Sequence, residues 1–124
     1  MGTETTDKDA SAGARPFTAA PIDLVIREAS QSDLATLVRF NTVMAWDTEK
    51  RRLAESTITA GVARALASPE LCRYYVAESA GKVVGQTMVT FELTDWEDGL
   101  VHWIQSVYVE PEFRGRGVFK LSLI

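Results

Sequence analysis

The sequence has very little of the residue types that build disulfides and metal sites. It contains one cysteine, Cys72, and one histidine, His102, in 124 residues. A lone cysteine excludes an internal disulfide, and a structural zinc site takes about four Cys or His ligands. We therefore expect no bound metal, and a reducing, cytoplasmic compartment as the place where the chain works.

Long apolar runs and an excess of basic residues are also missing. No apolar run approaches the roughly 18 residues of a membrane span, and the first ten residues carry Glu4, Asp7 and Asp9 where a secretory signal would be apolar. The net charge is −4, so the basic surface of a general nucleic-acid binder is absent. Neither a membrane nor a nucleic acid is expected as a partner.

The remaining composition is that of one small globular domain preceded by a tail. Residues 1–20 are small, polar and aperiodic, which predicts a disordered tail. Residues 21–124 predict a single α/β (α+β) domain with the element order β-α-α-β-β-β-α. Strands are predicted at 22–29, 71–79, 83–93 and 100–109. Because three of them follow one another directly, we expect a mostly antiparallel sheet.

Two helices are predicted between the first and second strands. Ser30 followed by Asp33 resembles a capping box that starts the first helix at 30–49. Its apolar stripe has helical spacing and consists of Leu34, Leu37, Val38, Asn41, Met44 and Ala45. The second helix ends before Pro69, and its stripe consists of Ile58, Val62, Ala65 and Leu66.

The end of the chain, "VYVEPEFRGRGVFKLSLI" at 107–124, combines a strand, a glycine-arginine turn and a predicted helix start near Gly117. Glycine permits left-handed backbone, and the first N–H groups of a helix bind anions. Arg114 and Arg116 add positive charge, so a small anion such as a diphosphate suits this turn. The spacing is neither that of a P-loop nor that of a dinucleotide-binding fingerprint. Taken alone, "RGRG" is equally compatible with a tight turn bearing solubilising arginines.

In its context, this segment resembles motif A of the GNAT N-acetyltransferases, [Q/R]-x-x-G-x-[G/A] after a strand and a "P-E-[Y/F]-R" loop. Arg114 matches the first position and Gly117 the central glycine. Phe119 stands where the family has Gly or Ala, which is a departure. The predicted element order also resembles the N-terminal half of that family. The resemblance covers about residues 22–124 and implies a GNAT-like fold that stops after motif A.

The resemblance implies acetyl-CoA as co-substrate and a primary amine, on a small molecule or a protein, as acceptor. The pantetheine arm of acetyl-CoA would pair with the strand backbone of Val107, Tyr108 and Val109. A backbone N–H near a bulge of that strand would bind the oxyanion. The pyrophosphate would lie on the turn formed by Arg114, Gly115, Arg116, Gly117, Val118 and Phe119.

No general base is evident, and the catalytic residues stay unassigned. Gln105 stands where some family members carry a glutamate base, and an amide cannot take up a proton. Glu92 and Gln105 are weak catalytic candidates, and a solvated acid at a strand end is the alternative for Glu92. The loop after the first helix lines the acceptor pocket in the family, which implies Trp46 as a wall and Asp47 or Glu49 as ammonium partners.

Trp103 is the remaining substrate-binding candidate. Strict strand alternation places it on the face of Gln105, Val107 and Val109, beside the predicted cleft, and on the face opposite Ser106 and Tyr108. Core packing is the alternative for this tryptophan.

Comparison with the family also predicts that the domain is incomplete at its C-terminal end, with weak or no catalysis. Strand 100–109 would then be an apolar sheet edge. The alternative function is a non-catalytic module that pairs through this edge as a homo- or heterodimer. The third alternative is that this 124-residue sequence is an incomplete gene model or a splice product.

Overall fold

The computed structural model describes residues 23–119. These residues form one four-stranded antiparallel sheet in the order β1-β2-β3-β4, with two helices between β1 and β2. The elements are β1 (Leu24–Glu28), α1 (Leu34–Glu49), α2 (Glu55–Leu66), β2 (Cys72–Ser79), β3 (Lys82–Thr94) and β4 (Gly99–Val109). The predicted antiparallel sheet and the order of these six elements are confirmed. The predicted tail at 1–20 lies outside the described residues.

The predicted capping pair, Ser30 and Asp33, caps the short 3₁₀ turn Gln31–Asp33 that leads directly into α1. The Asp33 carboxylate accepts a hydrogen bond from the backbone N–H of Ser30 at 2.8 Å, across this turn. Both terminal nitrogens of Arg27 donate to Asp33 at 2.9 Å. These Arg27 hydrogen bonds, more than any other contact, hold the pKa of the buried Asp33 carboxyl below its usual value. The carboxylate therefore ties β1 to the first turn of the helix.

The two helices cover one face of the sheet. The buried residues of this cluster are Leu37, Val62, Tyr74 and Val76, with Leu34, Val38, Ile58, Ala65, Leu66 and Met88 packed around them. The stripe predicted for α2 is therefore the face that packs, and so is the first part of the stripe predicted for α1. Asn41 completes that stripe as a polar member, because its side-chain amide donates to the Leu37 carbonyl and to the Tyr74 hydroxyl.

A second, smaller core lies on the opposite face and holds the residues that follow β4. Ala77 and Val84 are buried there with Val118 and Phe119. Successive side chains of a strand point to opposite faces, so Val76 and Ala77 belong to the two different cores. Just after Gly117, where a helix start is predicted, the structure describes a turn at Val118 and Phe119, and the rest of the predicted helix, residues 120–124, lies outside the described range.

The β3–β4 hairpin extends past the rest of the sheet. Pairing of β2 with β3 stops at Thr90, whereas pairing of β3 with β4 continues to Thr94 and Gly99. Large apolar side chains are exposed on this extension, among them Trp96 at 94%. The sheet thus has a compact end near the helices and a projecting two-stranded arm.

Candidate active site

Among residues 23–119, strand β4 lies at the edge of the sheet, and part of its backbone has no neighbouring strand. The N–H of Glu110 donates to the Val84 carbonyl at 2.8 Å, toward β3. Backbone groups of successive residues in an antiparallel strand alternate between its two edges. The groups of Tyr108 therefore pair with β3, opposite Gln86, while those of Val107 and Val109 point to the free edge. Of the three residues predicted to meet the pantetheine arm, two therefore point their backbone groups toward this edge.

A β-bulge interrupts β4 at Gln105. Ile104 pairs with Val89 and Ser106 with Met88, so Gln105 is an extra residue between two adjacent partners. The bulge reverses the alternation of faces beyond it. This corrects one expectation: Trp103 shares its face with Tyr108, and not with Val107 and Val109. Strict period-2 alternation cannot detect an inserted residue from the sequence alone.

Side chains of β3 contact the bulge from both faces of the sheet. The Thr87 hydroxyl donates to the Ser106 carbonyl at 2.9 Å. The Gln105 amide donates to the Thr90 hydroxyl oxygen at 2.8 Å, and the Gln86 amide lies 3.4 Å from the Ser106 hydroxyl. Sequence reasoning did not single out these β3 residues, because only the register places them opposite the bulge.

The turn after β4 has the backbone that its glycines predict. Gly115 and Gly117 have φ of 76° and 69°, values that L-residues rarely adopt. A 3₁₀ turn at Pro111–Phe113 precedes them, and Arg114 and Gly115 are exposed. The Arg116 guanidinium lies 5.6 Å from the centre of the Phe113 ring. The turn therefore presents left-handed backbone and two cations at the end of the free edge.

Arg114 occupies part of that edge in this structure. Its Nε donates to the Val109 carbonyl at 2.7 Å, one of the backbone groups that point away from β3. The guanidinium also lies 5.4 Å from the centre of the Tyr108 ring. A ligand that pairs with Val109 has to displace this hydrogen bond.

The two residues that close the predicted pyrophosphate turn anchor it to the core. The side chains of Val118 and Phe119 are buried, so only their backbone is placed to meet an anion. A Cβ on Gly85 would lie 3.1 Å from the Phe119 ring and 3.0 Å from the Tyr108 carbonyl. The bulky Phe119, a departure from the family pattern, is thus accommodated by a glycine on β3.

Tyr108 is buried beneath α1 behind the free edge. Its ring lies 4.7 Å from that of Phe40, and its hydroxyl lies 3.3 Å from a carboxylate oxygen of Glu110, which pairs with Arg39 at 3.0 Å. Burial, and next the negative charge of Glu110, raise the pKa of Tyr108. The hydroxyl is therefore neutral at neutral pH, and the ring of Tyr108 packs β4 against Phe40 of α1.

Glu92 and Trp103 contact each other on the face of the sheet that carries the helices, between the bulge and the β3–β4 turn. The indole Nε1 donates to the Glu92 carboxylate at 2.6 Å, and Trp103 is 51% exposed. By the register, Gln105 and Thr90 lie on the same face. Three of the candidates from the sequence therefore form one exposed row: Glu92, Trp103 and Gln105.

The candidates at the end of α1 form a separate group. Trp46 is 41% exposed, so it is not the core plug that a tryptophan at a helix end often is. The Arg52 guanidinium lies 4.6 Å from its ring centre and the Lys50 ammonium 5.4 Å. Asp47 and Glu49 are exposed beside it. Within residues 23–119, no hydrogen bond or ion pair joins this group to the row on β3 and β4.

Residues 23–119 contain neither a metal-ligand cluster nor a membrane-spanning helix. No group of three or more His, Cys, Asp or Glu side chains in this range is arranged to hold a metal ion. No helix in the same range combines the length and the apolar character needed to cross a bilayer.

Comparison with known proteins identifies the family. The sequence matches the acetyltransferase (GNAT) family over residues 32–121, whereas a search of curated protein sequences finds no match. A possible acetyltransferase from Clostridium difficile 630 is similar at 39% identity with a TM-score of 0.77. The alignment covers 83% of this chain and 67% of that one. The chain belongs to the GNAT acetyltransferase family.

More distant structures share the fold. A predicted acetyltransferase from Clostridium acetobutylicum, solved with acetyl-CoA, has 21% identity and a TM-score of 0.65, with 82% of this chain and 69% of that one covered. The aminoglycoside N-acetyltransferase AAC(6')-Iy, in complex with CoA, has 17% identity and a TM-score of 0.65, with 86% and 68% covered. The chain thus spans about two thirds of the length of these structures.

Proposed function

We propose that this chain binds acetyl-CoA along the free edge of β4 and takes part in acetyl transfer to a primary amine. One observation carries the proposal. The outward backbone groups of Val107 and Val109 run directly into a turn with two left-handed glycines and two arginines. An extended amide chain can pair with a free edge as an added strand, and N–H groups of such a turn form a concave site for phosphate oxygens.

The chemistry is a direct transfer between two substrates. The amine nitrogen attacks the thioester carbon, the new C–N bond forms, and the carbonyl oxygen takes the negative charge. The C–S bond then breaks, CoA leaves as the thiolate, and the amine proton passes through a base to that thiolate. We assign stabilisation of the oxyanion to a backbone N–H at the free edge, such as that of Val107.

The acceptor has to lose a proton before it can attack, because an alkyl amine is an ammonium ion at neutral pH, with a pKa of about 10.4. Glu92 is the carboxylate on the exposed row, and the indole N–H of Trp103 holds it in place. The exposed indole ring can in addition attract an ammonium group by a cation–π contact. We assign Glu92 to proton removal through intervening water, because it lies five residues along β3 from the partner of Val107, and we assign Trp103 to acceptor binding.

Gln105 and the end of α1 complete this assignment. The Gln105 nitrogen is engaged by Thr90, which leaves its carbonyl oxygen available to orient the amine. Trp46, Asp47 and Glu49 are proposed as the far wall of the acceptor site, where Arg52 over the Trp46 ring adds a cation. A mixed charge at this wall favours an acceptor that carries a carboxylate or hydroxyl besides its amine.

Acetyl-CoA binding, measured by calorimetry with the 124-residue chain, tests the proposal. We expect Gly117→Ala to weaken binding about tenfold, because left-handed backbone costs an L-residue about 1–2 kcal/mol and the turn has to shift. The control is Gly61→Ala on α2, where a Cβ meets open space, and it should bind within about twofold of the parent chain. Absence of binding by the parent chain, or equal affinity of both variants, contradicts the proposal.

The free edge also favours a second candidate function, a module that pairs with another chain. Strand β4 is 11 residues long, and Val101, Ile104 and Val107 on it are exposed. Such edges invite strand pairing. Sedimentation distinguishes the two: a pairing module dimerises as its concentration rises and ignores acetyl-CoA, whereas in the acetyltransferase the ligand occupies the same edge and suppresses dimers.

A further inference from the structure

Thr87 is a buried polar residue whose presence the fold alone does not require. It lies on β3 opposite Val107 and is 1% exposed. A valine has nearly the same shape, and an unpaired buried hydroxyl is costly. The hydroxyl of Thr87 has one partner among the described residues, the Ser106 carbonyl at 2.9 Å. This contact is therefore the feature that distinguishes threonine from valine at this position.

The partner of Thr87 belongs to the bulged segment. The extra residue Gln105 interrupts the regular ladder, and backbone groups at a bulge lose their regular cross-strand partners. Thr87 contacts the segment from one face of the sheet, and Thr90 contacts it from the other through the Gln105 amide. The bulge is thus held between two threonines of the neighbouring strand.

The Ser106 carbonyl and the Val107 N–H belong to a single peptide group. A trans peptide is planar, and its C=O and N–H point in opposite directions. When the Thr87 hydroxyl fixes the carbonyl toward β3, the N–H of Val107 is fixed toward the free edge. A side chain on the inner strand therefore sets the direction of a backbone donor on the outer side of the edge strand.

We propose that Thr87 is a positioning residue for acetyl transfer: its hydroxyl orients the Ser106–Val107 peptide so that the Val107 N–H meets the thioester oxygen. The inference rests on the proposed function and names the group that prepares its oxyanion donor. Since donors of this kind act on charge that develops in the transition state, Thr87 affects turnover more than acetyl-CoA binding.

Steady-state kinetics with Thr87→Val and Thr87→Ser test the role. Losing one oxyanion donor lowers kcat by about 100- to 1000-fold in well-studied enzymes, and a donor that is only misdirected should lose less. We expect Thr87→Val to lower kcat about 10- to 100-fold with KM for acetyl-CoA within about twofold. Thr87→Ser keeps the hydroxyl and should restore kcat to within about threefold of the parent chain.

The matched control removes the same chemical contact elsewhere. Thr42 on the exposed side of α1 donates its hydroxyl to the Val38 carbonyl at 2.8 Å, so Thr42→Val deletes a comparable hydrogen bond away from β4. It should leave kcat unchanged. A loss of kcat in Thr42→Val equal to that in Thr87→Val, or failure of Thr87→Ser to restore it, overturns the proposal.

A measurement on the free chain separates this inference from the proposed function. In NMR relaxation measurements, the order parameter of the Val107 N–H should fall in Thr87→Val, because the peptide loses the contact that fixes its direction, with β1 and β2 amides unaffected. An unchanged Val107 amide overturns the positioning role even if the enzyme is active. If the parent chain neither binds nor transfers acetyl groups, the proposed function fails, and the Val107 amide still decides whether Thr87 orients this peptide.

Discussion

The two halves of β4 differ in burial and in the chemical groups that they present. Beyond the bulge, Ser106–Val109 packs under α1 and leads into the anchored turn, and Tyr108 is 6% exposed. Before the bulge, Gly99–Ile104 runs outward into the projecting arm, which begins at His102, and Trp103 is 51% exposed. The inner half presents its backbone and the outer half presents its side chains. One strand therefore supplies two different kinds of recognition surface.

The contrast has a simple cause in the sheet. Strand β2 ends its pairing at Thr90, which lies opposite Trp103, so within residues 23–119 the hairpin has no third strand beside it from Phe91 and His102 outward. The inner half lies between two cores, that of the helices and that of Val118 and Phe119. Rigid backbone suits a site that binds through N–H and C=O groups, and exposed side chains suit an acceptor of variable shape.

The largest effect is expected from Tyr108→Ala in the inner half. Removing a buried aromatic ring costs about 3–5 kcal/mol, so urea unfolding should show a large fall in the free energy of unfolding. Tyr108→Phe loses only the hydroxyl contacts with Glu110 and Arg114 and should stay within about 1 kcal/mol of the parent chain. A change of less than about 1 kcal/mol in the free energy of unfolding for Tyr108→Ala would contradict the conclusion that the inner half of β4 is tightly packed.

An intermediate effect is expected from Asp33→Asn, which loosens the start of the helix that covers the inner half. The neutral amide loses charge-assisted hydrogen bonds with Arg27, worth about 2–3 kcal/mol. Because folding lowers the pKa of Asp33, its contribution is fully present above the ordinary carboxyl pKa of about 3.9 and disappears as pH falls through the lower folded value.

The pH dependence of unfolding checks this prediction. The parent chain and Asp33→Asn should differ most at neutral pH and converge in acid. A difference that is constant from pH 7 to pH 2 would mean that the carboxylate charge is not what stabilises the start of α1.

The smallest effect on stability is expected from Trp103→Ala in the outer half. An exposed side chain with one surface hydrogen bond should change the free energy of unfolding by less than about 1 kcal/mol. Acceptor KM should nevertheless rise, since the indole both holds Glu92 and meets the amine in the proposed site. A stability loss as large as that of Tyr108→Ala would erase the contrast between the two halves.

Much of this architecture could be predicted from the sequence because its signals are local. Helical spacing identified the packed stripe of α2, the Ser30–Asp33 pair marked the start of α1, and the two glycines of "RGRG" predicted the left-handed turn that Gly115 and Gly117 form. Each of these depends on residues within a few positions of one another. Such preferences survive in any tertiary context that keeps the element.

Other features depended on contacts between distant segments. The bulge at Gln105 exists only as a register between β3 and β4, so period-2 alternation placed Trp103 on the wrong face relative to Val107. Phe119 packs against Gly85, which is 34 positions away in the sequence. The hydrogen bond from Thr87 to the Ser106 carbonyl joins residues 19 positions apart. No local pattern encodes such pairs.

The sequence by itself determined the strands, the helices and the glycine turn, because backbone preference and side-chain periodicity act over a few residues. Only the tertiary structure decided which backbone groups of β4 face outward and which side chains hold them there. Hydrogen-bond direction is a property of the strand register, and the register is set by the whole sheet. For a site that binds mainly through its backbone, this second kind of information decides the chemistry.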